Sequence, residues 1–487
     1  MMQMPVRFLA TSLLLASSSL ESGCAAPVQV EVKPGSNGLY MAALSVGTPP
    51  QRIWAALDTA SSWSWIPEAK GNSSGFHTSQ SSSSSMGAEK SLTFADGDTI
   101  HGHILEDHVS VGSLEVPSAS IVLAQNLSSN HSSGEGLLGL VTENQKAAAE
   151  TWFFKFFRKK DEDVNAKSSI LTALWNANPQ VPKTYRLDLG RPSPQLWLGV
   201  PSSESSRSES SQTTFLPTLT RLPVANWYVS MRAIGLSYGK ESPSLRMSFD
   251  FNYAFPFGAA ALLDSGAGAI RVGAGIWERI MLGMPNGCRQ DAGAIGCPCK
   301  DKEELPTLSM SLETVAAFYV LGLDSGADII VCVPPSAYVT KSQTKSDWCE
   351  LAIVNGGEHH TIFDMEAVVL GLPFFRSVSV TFDAANRVVG VEPVADASSL
   401  GQAAVCSDPK NWWSTGRRFS PKRVIVALMI VTMIGSYVFV GFSQSRTAER
   451  MRALLESILG PGTLSNPSPN EERPSTQFMQ MANRNPE

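Results

Sequence analysis

The chain contains 487 residues, of which 43% are hydrophobic and 17% are charged, and its formal net charge at pH 7 is −6. This composition is typical of a globular protein, and the length is sufficient for two hydrophobic cores. The negative net charge argues against nucleic acid as a partner.

The N-terminal residues predict a secretory signal peptide. Within 1–25, the basic residue Arg7 precedes the apolar run 8–16, and small residues follow up to Ala25. The competing interpretation is an anchor helix, but an apolar run of this length is too short to span a bilayer. We therefore expect the rest of the chain to enter the secretory pathway.

The region 38–393 predicts a mostly β fold with many turns. Its apolar runs are short, and Gly, Pro, Ser and Asp interrupt them at close spacing. Such spacing is typical of strands joined by tight turns. Helical patterns are few, and the clearest cover 169–175 and 276–282.

Two of the apolar runs end in an aspartate followed by a hydroxyl residue. Asp58-Thr59 follows the run 53–57, and Asp264-Ser265 follows the run 259–263. A carboxylate at the end of a buried strand is costly unless it is hydrogen-bonded or takes part in chemistry. The pair suggests a duplicated half-site.

A second pair of matching segments supports the duplication. Leu138-Gly139 and Leu370-Gly371 follow the two aspartates at a distance along the chain. Repeats of this size predict two like lobes related by a pseudo-twofold axis. The predicted organisation is a signal peptide at 1–25, a first lobe at 38–225, a second lobe at 226–395, a stalk at 396–423, a transmembrane helix at 424–442 and a cytosolic tail at 443–487.

The stretch 424–442 predicts a single transmembrane helix because it contains no charged residue and is long enough to span a bilayer. A polar tail follows it, which argues against a buried core helix and against a lipid-anchor signal. With the signal peptide, it predicts a single-pass type I membrane protein of the secretory, endosomal or vacuolar pathway or the cell surface. The two lobes would then be lumenal or extracellular.

The cysteines fit the same compartment. There are seven, and removal of the signal peptide with Cys24 leaves six, an even number that predicts three disulfides in a secretory protein. Cys297 and Cys299 are close in sequence but have no neighbouring histidine, so we expect no metal site. Sequons for glycosylation lie at Asn72, Asn126 and Asn130.

Across 38–393 the chain resembles the pepsin-like aspartic proteases. The first aspartate motif continues to Trp65, which stands at the usual tryptophan position of that family. The other segments that carry the resemblance are, in chain order, 40–51, 94–107, 226–229, 264–266, 305–309, 335–338 and 369–390.

The resemblance implies a bilobal pepsin-like fold and aspartic endopeptidase activity on polypeptides. Asp58 and Asp264 would be the catalytic residues; they would meet between the lobes, hold one water molecule and share a proton. This mechanism needs no metal or cofactor, and we expect a monomer. The residues that would support the pair are Thr59, Ser61, Ser265 and Gly266.

Two further features come from the resemblance alone. Phe94, Ala95 and Asp96 would form a flap over the substrate, with Trp65 as part of the same binding region. The family commonly has a disulfide in its second lobe, which would join Cys299 to Cys349. The sequence leaves open how the remaining cysteines pair, namely Cys288, Cys297, Cys332 and Cys406.

Four positions depart from the family pattern, and one of them, Glu135 in place of an aspartate before Gly136, is interpreted as a local structural variation. Ala60 replaces a glycine and Phe94 replaces the flap tyrosine, and both favour an alternative function, a catalytically weak or inactive pepsin-fold protein that binds peptides at a membrane surface. Both aspartates and both hydroxyl residues are retained, which favours the enzyme. Ala267 replaces a hydroxyl residue, so we expect a raised pKa for the pair and a pH optimum less acidic than that of pepsin.

Overall fold

The computed structural model describes residues 25–71, 74–94, 98–126, 135–142, 169–201, 213–219, 227–238, 245–248, 259–291, 294–313, 328–342, 345, 347–357, 361–362 and 365–393. Within these ranges, no helix is long and apolar enough to cross a membrane. The predicted signal peptide up to residue 24, the stalk, the spanning segment 424–442 and the tail lie outside them, as do the sequons at Asn72 and Asn130.

The fold is mostly β, as the turn spacing predicts. The first eleven strands are β1 (Val28–Pro34), β2 (Tyr40–Val46), β3 (Gln51–Asp58), β4 (Trp65–Pro67), β5 (Ser85–Thr93), β6 (Thr99–Val111), β7 (Leu114–Asn126), β8 (Gly136–Gly139), β9 (Thr184–Asp188), β10 (Gln195–Leu198) and β11 (Thr214–Pro217). The others are β12 (Tyr228–Ser237), β13 (Leu245–Ser248), β14 (Ala259–Leu263), β15 (Ile270–Val272), β16 (Arg289–Asp291), β17 (Ala294–Pro298), β18 (Thr307–Glu313), β19 (Asp328–Val333), β20 (Val339–Lys341), β21 (Trp348–Asn355), β22 (Thr361–Ile362), β23 (Met365–Leu370), β24 (Val378–Asp383) and β25 (Val388–Pro393).

The described helices are short and lie between strands. They are α1 (Ile170–Ala177), α2 (Ala274–Leu282), α3 (Pro335–Tyr338) and α4 (Leu372–Ser377), with 3-10 turns at Thr78–Gln80 and Cys299–Glu304. The two helices that the sequence predicts are α1 and α2. Ser169 begins α1 because its hydroxyl accepts a hydrogen bond from the N–H of Thr172 at 3.4 Å.

The strands form two large sheets. The first has thirteen strands in the order β11-β25-β24-β9-β10-β1-β2-β3-β8-β4-β7-β6-β5. The second has twelve, with the main path β16-β17-β21-β15-β23-β14-β12-β18-β19. The strands β24 and β25 follow the second sheet in sequence but pair with β9 and β11 of the first. The last two described strands are therefore part of the first sheet, although they follow the second sheet in sequence.

The same strand arrangement occurs around each aspartate. In the first sheet, β3 is parallel to β8, β8 is antiparallel to β4, and β4 is parallel to β7. In the second sheet, β14 is parallel to β23, β23 is antiparallel to β15, and β15 is parallel to β21. This repetition of pairing is the structural form of the duplication seen in the sequence.

Close backbone contact explains the repeated glycines. A Cβ on Gly139 would lie 2.7 Å from the carbonyl oxygens of both Ser61 and Trp63, and a Cβ on Gly371 would lie 2.4 Å from that of Ala267. Each glycine thus ends or follows a strand that passes directly against the turn after an aspartate. A side chain at either position would push that turn out of place.

Disulfides join parts of the second sheet. Cys299 and Cys349 are bonded, as the resemblance implies, and so are Cys288 and Cys297, a pairing that the sequence left open. Cys297 and Cys349 also lie opposite each other in the pairing of β17 with β21. The two disulfides therefore tie neighbouring strands and the 3-10 turn at Cys299 together.

Candidate active site

Asp58 and Asp264 are brought together by hydrogen bonds that cross from one half of the duplication to the other. The Thr59 N–H donates to Ser265 Oγ at 3.1 Å, and the Ser265 N–H donates to Thr59 Oγ1 at 2.9 Å. Each hydroxyl then donates onward, Thr59 to the Leu263 carbonyl at 2.7 Å and Ser265 to the Leu57 carbonyl at 2.8 Å. All four bonds are buried, so the two turns hold each other in a fixed position.

Asp58 accepts three hydrogen bonds from its own turn. Its Oδ1 accepts from the N–H groups of Ala60 at 2.8 Å and Ser61 at 3.1 Å, and its Oδ2 accepts from the Ser61 hydroxyl at 2.6 Å. Donors of this kind stabilise the ionised form of a carboxyl group. Ser61 therefore contacts Asp58 as the sequence predicts.

Asp264 has a poorer set of partners. Its Oδ1 accepts from the N–H groups of Gly266 at 2.9 Å and Ala267 at 3.1 Å. These two bonds match the main-chain pair at Asp58, but Ala267 has no hydroxyl to match the Ser61 bond. The difference between the two carboxyl groups is therefore one charge-assisted hydrogen bond.

The pKa of both aspartates is raised, and burial is the largest cause in each case. At Asp58, the bonds from Ser61 and Ala60 oppose this effect. At Asp264, burial and the negative charge of Asp58 raise the pKa to about 7, with only partial opposition from its two main-chain donors and from Arg271. Two carboxyl groups so placed share one proton over a wide pH range and titrate as a pair.

The third position of each motif differs in the space around it. A Cβ on Gly266 would lie 2.8 Å from Asp58 Cγ, so Gly266 lies directly against the carboxyl group of the partner aspartate. Ala60 occupies the corresponding position in the first motif. Among the described residues, Arg387 alone of the non-glycines has a positive φ, so Ala60 does not need the left-handed backbone that would favour glycine.

A hairpin formed by β5 and β6 corresponds to the predicted flap. The Phe94 N–H donates to the Asp98 carbonyl at 2.9 Å and closes its end, whereas Ala95 and Asp96 lie outside the described residues. Phe94 is partly buried against a small apolar cluster that contains Trp65 and is separate from the main core. The hairpin therefore packs over Trp65, and an aromatic ring without a hydroxyl takes part in that contact.

Three residues near the aspartates were not predicted from the sequence. The Ser64 hydroxyl accepts from the Gly139 N–H at 3.0 Å and so fixes β8 beside Asp58. Tyr185 donates to the Leu140 carbonyl at 3.1 Å and stacks on Phe382. The third residue, Arg271, is a cation near Asp264. Only strand register reveals these positions, because a lone Ser, Tyr or Arg carries no signal in a sequence.

The comparison with known families agrees with this geometry. Residues 39–173 and 225–394 match the family described as eukaryotic aspartyl protease, and together they make up more than half of the chain. The chain belongs to this family. Both aspartates and the hairpin at β5 and β6 lie within the matched residues.

Similarity to individual aspartyl proteases is modest and partial. The chain is 34% identical to syncephapepsin of Syncephalastrum racemosum over 23% of this chain and 30% of the relative, and 29% identical to endothiapepsin of Cryphonectria parasitica over 30% and 36%. It is 24% identical to vacuolar protease A of Aspergillus fumigatus over 57% of this chain and 64% of the relative. The chain thus spans less than two thirds of the length of these relatives.

Proposed function

We propose that the protein is an aspartic endopeptidase that hydrolyses peptide bonds with a water molecule activated between Asp58 and Asp264. The observation that carries the proposal is the buried, cross-bonded placement of the two carboxyl groups, one of which has its pKa raised to about 7. Family membership and the protease relatives support the same reaction class.

The unequal hydrogen bonding assigns a role to each aspartate. Asp58, with three donors including Ser61, is the ionised member and acts as general base toward the water. Asp264, which lacks a hydroxyl donor and has its pKa raised to about 7, is the protonated member and donates to the peptide carbonyl oxygen. As the water attacks, its proton passes to Asp58, and the carbonyl oxygen receives stabilisation from Asp264. The leaving nitrogen then takes a proton from the pair, which returns to its starting state.

The site is proposed to work from a membrane anchor. The uncharged stretch 424–442 and the N-terminal signal pattern support a single-pass protein whose protease region is lumenal or extracellular. Polypeptides that reach the same membrane surface would then be the substrates. Protease protection of the full chain in sealed microsomes tests this orientation, and cleavage of the 38–393 region by a protease added outside would contradict it.

The proposed activity predicts a sharp loss on substitution of either aspartate. Purified full-length protein in detergent is incubated with a mixed peptide library from pH 3 to pH 8, and cleavage is followed by mass spectrometry. We expect Asp58→Asn and Asp264→Asn each to lower kcat by about 10²–10⁴-fold, because each removes one half of the acid–base pair. Pepstatin is expected to inhibit the unsubstituted protein.

An exposed aspartate provides the matched control. Asp347 lies on the surface, and its carbonyl accepts from the Cys299 N–H, so Asp347→Asn keeps that main-chain bond and should leave activity unchanged. Cleavage that survives both Asp58→Asn and Asp264→Asn would overturn the proposal. Saturable peptide binding without cleavage would favour a peptide-binding protein instead.

A further inference from the structure

One row of paired residues crosses the first sheet on the side where Asp58 lies. Side chains alternate along a strand, so Ala56, two residues before Asp58, points to the same side of the sheet. Ala56 pairs with Leu137, Leu137 pairs with Trp65, and Trp65 pairs with Val122. These four paired residues form a row across β3, β8, β4 and β7.

The second sheet contains the same row beside Asp264. Leu262 lies two residues before Asp264, and the Asp264 N–H continues the β14 ladder by donating to the Leu370 carbonyl. Leu262 pairs with Val369, Val369 with Arg271, and Arg271 with Val354. Arg271 is therefore the counterpart of Trp65, and each lies seven residues after its aspartate.

The two rows differ in what covers them. Trp65 is only 2% exposed, because the hairpin of β5 and β6 brings Ile100, Leu92 and Phe94 against it. In the second row, every member is half-buried and so remains partly open to solvent. The alternate residues on the same strands are fully buried in the main core, among them Leu263, Ile270, Val272 and Leu370. The row with Arg271 is thus the accessible side of the second sheet, next to Asp264.

Arg271 brings a positive charge to this apolar row. It makes no hydrogen bond or ion pair with any residue in the described part of the chain, although its charge acts on Asp264. By contrast, Arg186 pairs with Asp188 and Glu392, and Arg232 pairs with Glu313. A half-buried guanidinium among Leu262, Val369 and Val354 gains from a carboxylate ligand because apolar neighbours weaken screening by water.

We propose that Arg271 is a specificity-determining residue that binds an acidic side chain of the polypeptide substrate. The planar guanidinium can donate two parallel hydrogen bonds to one carboxylate. The apolar members of the row can contact the methylene groups of a glutamate. The inference rests on the proposed function for its substrate class. It gives the second half of the site a selectivity for charge that the first half lacks, because there the hairpin of β5 and β6 covers the corresponding residue, Trp65.

The test measures binding separately from cleavage. Full-length Asp58→Asn protein, which keeps the Asp264 carboxyl group, is titrated with fluorescent peptides blocked at both ends. The peptides carry Glu, Gln or Lys in turn at each position around the preferred cleavage site of the unsubstituted protein, or along the tightest-binding library peptide if none is cleaved. At one position we expect Glu to bind about tenfold or more tightly than Gln, the range that one charge-assisted hydrogen bond supplies.

Substitutions at Arg271 decide the outcome. Arg271→Met should abolish the preference, Arg271→Lys should keep part of it, and Arg271→Glu should reverse it toward the Lys peptide. A merely structural role would not produce this reversal. Arg279→Met, at an exposed arginine of α2, is the matched control and should retain the preference.

The inference and the proposed function fail in different ways. An equal affinity for Glu and Gln peptides at all positions, or a Glu preference that survives Arg271→Met, overturns the inference and leaves the protease proposal intact. Cleavage that does not depend on the aspartates overturns the protease proposal, while the binding series still reports on Arg271. Peptides with a free C-terminal carboxylate, compared with amidated ones, show whether Arg271 instead binds a chain end, which would also overturn the inference.

Discussion

At the scale of single residues, the two aspartates are chemically unequal although their turns are alike. Both accept two main-chain hydrogen bonds, and only Asp58 also accepts one from a hydroxyl group, that of Ser61. The pKa of Asp264 is accordingly raised to about 7 by burial and by the charge of Asp58. The hydroxyl that Ser61 supplies to Asp58 has no equivalent at Ala267, so the two carboxyl groups differ in how well their ionised forms are stabilised.

The unequal hydrogen bonding of the two aspartates predicts that one substitution shifts the basic limb of the pH–kcat profile. Activity needs Asp264 protonated, so kcat should fall as the pH rises through about 7, where Asp264 ionises. Ala267→Ser supplies a donor that stabilises the ionised form, which lowers the Asp264 pKa and should move this limb about one pH unit lower. The measurement is kcat of the full-length protein between pH 3 and pH 9.

Ser61→Ala is the converse variant. It removes the donor to the ionised Asp58, which raises the pKa of Asp58 and should move the acidic limb to higher pH. Because the pair titrates together, the limbs report the pair and not isolated groups. A basic limb that stays in place in Ala267→Ser would contradict the assignment of the proton to Asp264.

At the scale of elements, each site aspartate lies where a strand ends in a turn and a second strand crosses behind it. The crossing strands are β8, which ends at Gly139, and β23, which Gly371 follows, and each of these glycines lies against one of the turns. The turns themselves differ at the third position, where Gly266 lies against Asp58 and Ala60 is accommodated. The alanine that the sequence marks as a departure is thus compatible with the fold.

Because the two turns differ at their third position, we expect Gly266→Ala to lower activity and Ala60→Gly to leave it unchanged. Gly266→Ala places a methyl group within 2.8 Å of Asp58 Cγ and must displace that carboxyl group. We expect a loss of about 10–100-fold in kcat/KM, from an overpacking cost of about 1–3 kcal/mol. Ala60→Gly is the matched control and should retain full activity. Equal losses in the two variants would show that the methyl group at position 60 is also part of the working geometry.

At the scale of the whole molecule, residues 204 to 208 positions apart in sequence share four buried hydrogen bonds. The main core likewise contains residues from both sheets, and β24 and β25 return from the second half to pair in the first. The two halves are therefore held together both at the site and through the core. The position of each aspartate depends on this long-range closure.

The crossed hydrogen bonds predict that removal of the Thr59 or Ser265 hydroxyl lowers the free energy of unfolding. Thr59→Val and Ser265→Ala each leave a carbonyl and an N–H without a buried partner, at about 1–3 kcal/mol in the free energy of unfolding. The double variant should cost less than the sum, because both residues belong to one network. Urea unfolding of the full-length protein measures all three.

A second buried serine supplies the control for these variants. Ser230 is 1% exposed, and its hydroxyl has no hydrogen-bond partner in the described part of the chain. Ser230→Ala should therefore leave the free energy of unfolding unchanged or raise it slightly. Strict additivity of the Thr59 and Ser265 effects would show that the crossed bonds do not act as a unit.

The sequence by itself determined the β class, the duplication, and the pair Asp58 and Asp264, because alternation of apolar runs and turns is local and each motif is a contiguous signal. It also indicated Cys299 and Cys349 through the family resemblance. Only the tertiary structure decided the pairing of Cys288 with Cys297, the raised pKa of Asp264, and the place of Arg271 as the counterpart of Trp65. These properties depend on burial, charge and strand register between segments far apart in the chain, and such contacts leave no mark in the local order of residues.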